Sequence, residues 1–103
     1  MKIIFRWKSC SRSKIIENFV VDKASEFDQF NFLNKNIKFE IIHYDKQDLF
    51  KARINLTAKT SKKVLRAEAD AENIYTAINK TFNKIEDQIR KIKTKIKNKR
   101  SSK

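Results

Sequence analysis

The complete absence of glycine and proline is the feature that most restricts how this chain can fold. An average chain carries roughly 7% glycine and 5% proline, and these residues build most tight turns. Every turn must therefore be made by Asn, Asp, Ser, Thr or Lys. Phosphate-binding loops that depend on glycine, such as G-x-G-x-x-G and the P-loop, cannot exist here, so the enzymes that use these loops are excluded.

The spacing of apolar residues predicts a strand followed by a helix at the start of the chain. Residues 2–8 alternate apolar and polar side chains with the period of two that is typical of a half-buried strand. Residues 13–30 carry apolar side chains at i, i+3 and i+4, which predicts an amphipathic helix with Ser13 or Ser11 as its N-cap.

Three further strands and a long helix are predicted after this pair. The period of two returns over residues 37–43 and 50–57 and, more weakly, over 63–69. A helix then runs from about 72 to 98, with Asp70 as its predicted cap. Its apolar residues form one stripe: Ile74, Ile78, Phe82, Ile85, Ile89, Ile92 and Ile96. The order β-α-β-β-β-α predicts an α+β two-layer domain, with both helices packed on one face of a four-stranded sheet.

The charge of the chain favours a polyanionic partner. The 103 residues fit one domain, which we place at residues 1–99, with a basic C-terminal tail at 100–103. A total of 25 Lys and Arg against 12 Asp and Glu gives a net charge of +13. Codon bias toward lysine can explain part of this excess but not its position, since residues 88–103 carry eight basic residues and no acidic one. We therefore predict that the chain binds a polyanion such as nucleic acid, the ribosome or an anionic lipid surface.

The second helix carries two basic flanks. One sector of about 60°, roughly 120° from the apolar stripe, contains Lys80, Lys84, Lys91 and Lys95. The other flank contains Arg90, Lys93 and Lys97. Such cations can follow an RNA phosphate backbone without reading its sequence. The alternative is an ordinary solvated face with cations near a helix C-terminus.

The sequence offers no clear catalytic or metal site, so we expect no enzyme and no cofactor. His43 is the only histidine and lies in a strand pattern, which favours a structural role. Cys10 lies among basic residues that could lower its pKa, but it has no evident base partner. Glu17 and its neighbouring carboxylates are spaced for the exposed side of the first helix. Five phenylalanines are assigned to the core rather than to base stacking: Phe5, Phe19, Phe27, Phe39 and Phe82.

Two alternative functions remain open at this point. The apolar rhythm of the second helix could form a coiled-coil seam for a protein partner, or the helix could lie on an anionic membrane. Both need the stripe exposed, whereas the strands offer a sheet to cover it, so we expect a monomer without membrane association. No apolar run approaches the ~20 residues of a membrane span, and the lone cysteine cannot form an internal disulfide. A cytoplasmic location is expected.

The region 65–97 contains three recognisable stretches. They are a strand of the L-R-A-E type, an M-Y-A-A-I-like stretch at Ile74–Ile78 and a K-L-E-R-Q-L-like stretch at Lys84–Ile89. This region resembles the ribosome hibernation promoting factor and ribosome-associated inhibitor family, in its short form. The first helix is similar to that family's T-x-x-L-x-x-Y-V-x-x-K-x-x-x-L pattern, at Ser13, Ile16, Phe19, Val20, Lys23 and Phe27.

The resemblance implies a domain that binds the small ribosomal subunit between head and body, on the tRNA and mRNA path, and inactivates idle ribosomes without catalysis. The RNA-facing candidates carried over by position are Lys23, Lys84, Arg90, Lys91 and Lys95. In three respects the sequence departs from the family. Asp87 stands where an Arg is usual and Glu26 where a Lys is common, and the first strand lacks the family's glycine. Ribosomal proteins or a separate dimerisation factor are the further partners that the resemblance suggests, and any pairing of ribosomes is expected to need another protein.

Overall fold

The computed structural model describes residues 2–34, 36–59 and 62–101, with the side chains of these residues up to position 94. It confirms the predicted order β-α-β-β-β-α. The elements are β1 (Lys2–Lys8), α1 (Lys14–Ala24), a 3₁₀ helix (Ser25–Gln29), β2 (Asn36–Tyr44), β3 (Leu49–Thr57), β4 (Val64–Ala71) and α2 (Ile74–Ser101). The strands form one sheet in the order β1-β2-β3-β4. β1 is parallel to β2, and the other two pairs are antiparallel.

One face of the sheet is covered by the helices and forms the core. Alternate strand residues face this side, as Ile37, Phe39 and Ile41 do in β2. From α2, the stripe residues between Ile78 and Ile89 are buried, while Ile74 and Ile92 pack at the margin of the core. The stripe is therefore used inside the domain, which removes the basis for a coiled-coil seam or a membrane-bound helix along this part of α2.

A side chain caps the start of each α-helix. The sequence pattern predicted the capping residue of α1 correctly but that of α2 wrongly. Ser13 caps α1 as predicted, because its Oγ accepts a hydrogen bond from the Ile16 amide at 3.3 Å. The prediction of Asp70 as the cap of α2 is wrong. Asp70 lies in β4 and pairs in register with Lys51, and it is Asn73 Oδ1 that accepts from the Tyr75 amide at 2.8 Å. Pairing with β3 extends the strand beyond the point where its apolar alternation fades.

Three residues take the left-handed conformation that glycine would otherwise supply. Ser9, Asp48 and Lys62 have φ values of 57°, 50° and 54°. They lie after β1, in the β2–β3 turn and before β4, which are the turns that a chain without glycine must build from other residues.

Side chains of α2 fix it against the sheet. The buried Thr81 hydroxyl lies 3.0 Å from the Ala52 carbonyl and 2.8 Å from that of Ala77. Further along, Lys84 Nζ donates to the Glu68 carbonyl at 2.9 Å, and Gln88 Nε2 donates to the Arg66 carbonyl at 2.6 Å. The last two bonds satisfy carbonyls of β4, which is an edge strand of the sheet.

Candidate RNA-binding surface

The two helices run in the same direction and together form one side of the molecule. Phe19 of α1 meets Tyr75 at the start of α2, with ring centroids 5.0 Å apart. Phe27, in the 3₁₀ helix that follows α1, meets Phe82 further along α2, with ring centroids 5.7 Å apart. Since both helices bury their inner faces on the sheet, their outer faces point away from it and are available to a large ligand.

The flank of α2 nearest β4 carries an exposed row of lysines, Lys80, Lys84 and Lys91, which we call the lysine row. It extends over about 16 Å of helix axis at 1.5 Å per residue. Lys80 and Lys91 form no ion pair with any residue whose side chain the structure describes, so both ammonium groups are available to phosphates. Lys84 also binds the β4 edge. The side chain of Lys95, predicted to continue the row, lies outside the described residues, as does that of Lys97.

The opposite flank of α2 carries Arg90 and Lys93, both exposed. Arg90 hydrogen-bonds the carboxylate of Asp87, one turn earlier on the exposed side of the helix. Lys93 Nζ lies 5.7 Å from the ring centroid of Phe30, a cation–π contact at the surface. This flank therefore also presents positive charge, reduced by Asp87.

Lys23 lies on α1, away from the residues of α2 that were predicted with it as RNA contacts. It is half-buried on α1, with Nζ 5.3 Å from the Phe19 ring centroid. Phe19 in turn meets Tyr75, so Lys23 lies toward the start of α2, whereas Arg90 and Lys93 lie toward the other end. The predicted cations thus form one row, one opposite flank and one separate position on the same side of the molecule.

Glu17 was expected on the exposed side of α1, and this is wrong because it is buried. Its carboxylate accepts hydrogen bonds from Trp7 Nε1 at 3.3 Å and Arg12 Nε at 2.9 Å. Burial raises the pKa of Glu17, but the bonds from Arg12 and Trp7 outweigh it and hold that pKa below its ordinary value of 4.5. Its spacing from Val20 and Ala24, three and seven residues, was a signal for the buried face.

The contacts of Cys10 and His43 indicate structural roles for both residues. Burial raises the pKa of the Cys10 thiol, which overturns the suggestion that basic neighbours lower it. The His43 ring packs on Phe50 at 4.6 Å, with Nδ1 2.8 Å from Asp45 and Nε2 3.2 Å from Asp48, and so ties together the β2–β3 turn. Within the described ranges, no group of three or more His, Cys, Asp or Glu residues is arranged to hold a metal ion.

No helix in the described part of the chain combines the length and the apolar composition needed to cross a bilayer.

Comparison with known proteins identifies both a family and similar folds. Residues 3–97 match the model of the family described as Sigma 54 modulation protein / S30EA ribosomal protein. The N-terminal domain of Protein Y from Thermus thermophilus is 18% identical, with a TM-score of 0.76 over 89% of this chain and 99% of that one. A ribosomal subunit interface protein from Coxiella burnetii is 16% identical, with a TM-score of 0.79 over 91% and 99%. At these identities the two structures show a shared fold alone. No curated protein matches the sequence.

Proposed function

The chain belongs to the Sigma 54 modulation protein / S30EA ribosomal protein family, and from this membership we propose that it binds the small ribosomal subunit and inactivates idle ribosomes. The observation that carries the proposal is the exposed basic surface of α2, where Lys80 and Lys91 form no ion pair with any described side chain. The name of the Coxiella relative, a ribosomal subunit interface protein, supports a location between the subunits.

In this proposal the helix side of the domain lies on ribosomal RNA in the channel that tRNA and mRNA would occupy. The proposed RNA contacts are Lys23, Lys80, Lys84, Arg90, Lys91, Lys93 and Lys95. Residues 1–99 form the binding domain, and the basic tail at 100–103 adds charge. Each phosphate that a cation neutralises releases counterions, which stabilises the complex without sequence recognition. The free protein is a cytoplasmic monomer, catalysis plays no part, and ribosome pairing is left to another factor.

Co-sedimentation of the protein with separated small and large ribosomal subunits tests this function. We expect saturable, one-to-one binding to the small subunit that weakens steeply between about 50 and 200 mM salt. Occupancy of the subunit by tRNA should reduce binding, because both ligands need the same channel. Equal and unsaturable binding to both subunits and to bulk RNA would instead identify a general RNA-binding polycation and would overturn the proposal.

A further inference from the structure

The face of the sheet opposite the helices is open to solvent and also carries an excess of positive charge. The alternation of the four strands places seven basic and three acidic side chains on it: Lys2, Arg6, Lys8, Lys38, Lys51, Arg53, Arg66, Glu40, Glu68 and Asp70. This open face lies on the far side of the sheet from α1 and α2. Apart from Lys84, which borders both, it is a surface separate from the one proposed above.

All three carboxylates of the open face are already neutralised by cations. Arg53 is shared between Glu40 at 3.3 Å and Glu68 at 2.8 Å. The hydrogen bond from Arg53 lowers the pKa of Glu68, so this carboxylate stays ionised at neutral pH. The remaining ion pairs are Arg6–Glu40 at 3.8 Å, Lys8–Glu40 at 3.7 Å and Lys51–Asp70 at 3.9 Å.

The neighbouring cross-strand row is formed by Lys38, Asn55 and Arg66, and it contains no carboxylate to balance its two positive charges. The three residues are direct partners across β2, β3 and β4. Neither Lys38 nor Arg66 forms an ion pair with any side chain that the structure describes. Asn55 lies between them, and its Oδ1 is buried without a hydrogen-bond partner in the described structure. A buried acceptor left unpaired costs roughly 1–3 kcal/mol, so this oxygen favours a ligand that can donate to it.

This row forms the floor of two adjoining grooves that share Arg53 and Asn55. One groove, of about 590 Å³, is bounded on the helix side by Lys84 and Gln88. The other, of about 420 Å³, extends past Lys38 toward β1. Each volume lies within the range of pockets that hold small molecules, roughly 300–1,000 Å³, which is sufficient for parts of a nucleotide chain.

We propose that the Lys38–Asn55–Arg66 row binds a single strand of RNA. Phosphates contact Lys38 and Arg66, and a ribose 2′-hydroxyl donates a hydrogen bond to Asn55 Oδ1. The two cations stand two strand spacings apart, about 10 Å, so they contact phosphates on either side of the ribose that faces Asn55. Asn55 is half-buried as a whole and lines both grooves, and the proposed contact requires its amide to rotate so that the oxygen faces the groove. DNA lacks the 2′-hydroxyl, so the row distinguishes RNA from DNA.

The test measures fluorescence anisotropy of an oligouridylate of about ten nucleotides, and of its 2′-deoxy counterpart, with the full-length protein. We expect the protein to prefer RNA about fivefold, the effect of one hydrogen bond. In Asn55→Ala, the preference for RNA should disappear while the affinity for DNA stays the same.

In the double variant Lys38→Gln with Arg66→Gln, the affinity for both oligonucleotides should fall. The salt slope should also decrease by about 1.4, since each phosphate that is no longer neutralised accounts for about 0.7. Both the lysine and the arginine side chains are exposed, so these changes leave the core intact.

Two control variants separate this row from a general effect of net charge and from the helix surface. Lys46→Gln with Lys59→Gln removes the same charge from exposed positions outside the row and should change binding little. Lys80→Gln with Lys91→Gln weakens the helix surface and should leave the RNA preference intact. The proposal is overturned by equal affinity for RNA and DNA, by an RNA preference that persists in Asn55→Ala, or by equally tight binding of poly-glutamate. None of these results depends on small-subunit binding, so the proposed function can fail while this site stands, or the reverse.

Discussion

At the scale of single residues, Asp87 determines how much charge the outer side of α2 presents. It is exposed between the two basic flanks and engages Arg90. An exposed pair of this kind contributes only about 0.2–0.5 kcal/mol to a helix, so its removal affects the fold little. Its effect on a polyanion is larger, because the carboxylate both repels phosphate and occupies a guanidinium that could bind it.

Asp87→Arg should therefore tighten binding to small ribosomal subunits by several-fold at about 100 mM salt, with a steeper salt dependence. Asp87→Asn, which frees Arg90 without adding a cation, should fall between this variant and the unmodified protein. The dissociation constants come from co-sedimentation. Unchanged or weaker binding by Asp87→Arg would show that this side of α2 does not face RNA.

At the scale of elements, Glu17 connects β1 to α1 through Trp7 and Arg12. Because the folded-state pKa of Glu17 lies below 4.5, its ionised form contributes stability that is fully present above that pH and is lost as the pH falls below it. Glu17→Gln should lower the free energy of unfolding by about 1 kcal/mol at pH 7. The difference should shrink below pH 4.5, as followed by urea unfolding monitored through Trp7 fluorescence. A difference that stayed constant between pH 3 and 7 would contradict the role of the charge.

Sequence periodicity predicted the strands and α2 because each repeats its own apolar spacing locally. It also predicted the exposure of Lys80 and Lys91, since both lie about 120° or more from the apolar stripe of the same helix. The end of β4 was missed because pairing of Asp70 with Lys51 depends on a strand distant in the chain. The tightening of the first helix into a 3₁₀ turn after Ala24 was likewise not encoded in the apolar spacing.

At the scale of the whole molecule, the sheet separates two basic surfaces. One is the helix side, and the other is the open face with its Lys38–Asn55–Arg66 row. The period of two in β3 places Lys51, Arg53 and Asn55 on the same face of that strand, but the sharing of charges on this face could not be predicted from the sequence. This sharing requires the cross-strand register that places Arg53 between Glu40 and Glu68 and leaves Lys38 and Arg66 without an ion pair among the described side chains.

The helix surface carries the central claim, and charge reversal within the lysine row tests it most directly. Lys84→Glu is a poor choice for this purpose, since it would set a carboxylate against the Glu68 carbonyl at the edge of β4. Lys80→Glu with Lys91→Glu avoids that bond, and Lys46→Glu with Lys59→Glu makes the same change in net charge away from α2.

The decisive measurement is co-sedimentation of these two variants with small ribosomal subunits at about 100 mM salt, where several phosphate contacts dominate affinity. The account predicts that Lys80→Glu with Lys91→Glu loses at least tenfold in affinity, while the control pair stays within about twofold and both retain the circular dichroism of the native fold. Equal losses for the two variants, or none for either, would contradict binding through α2.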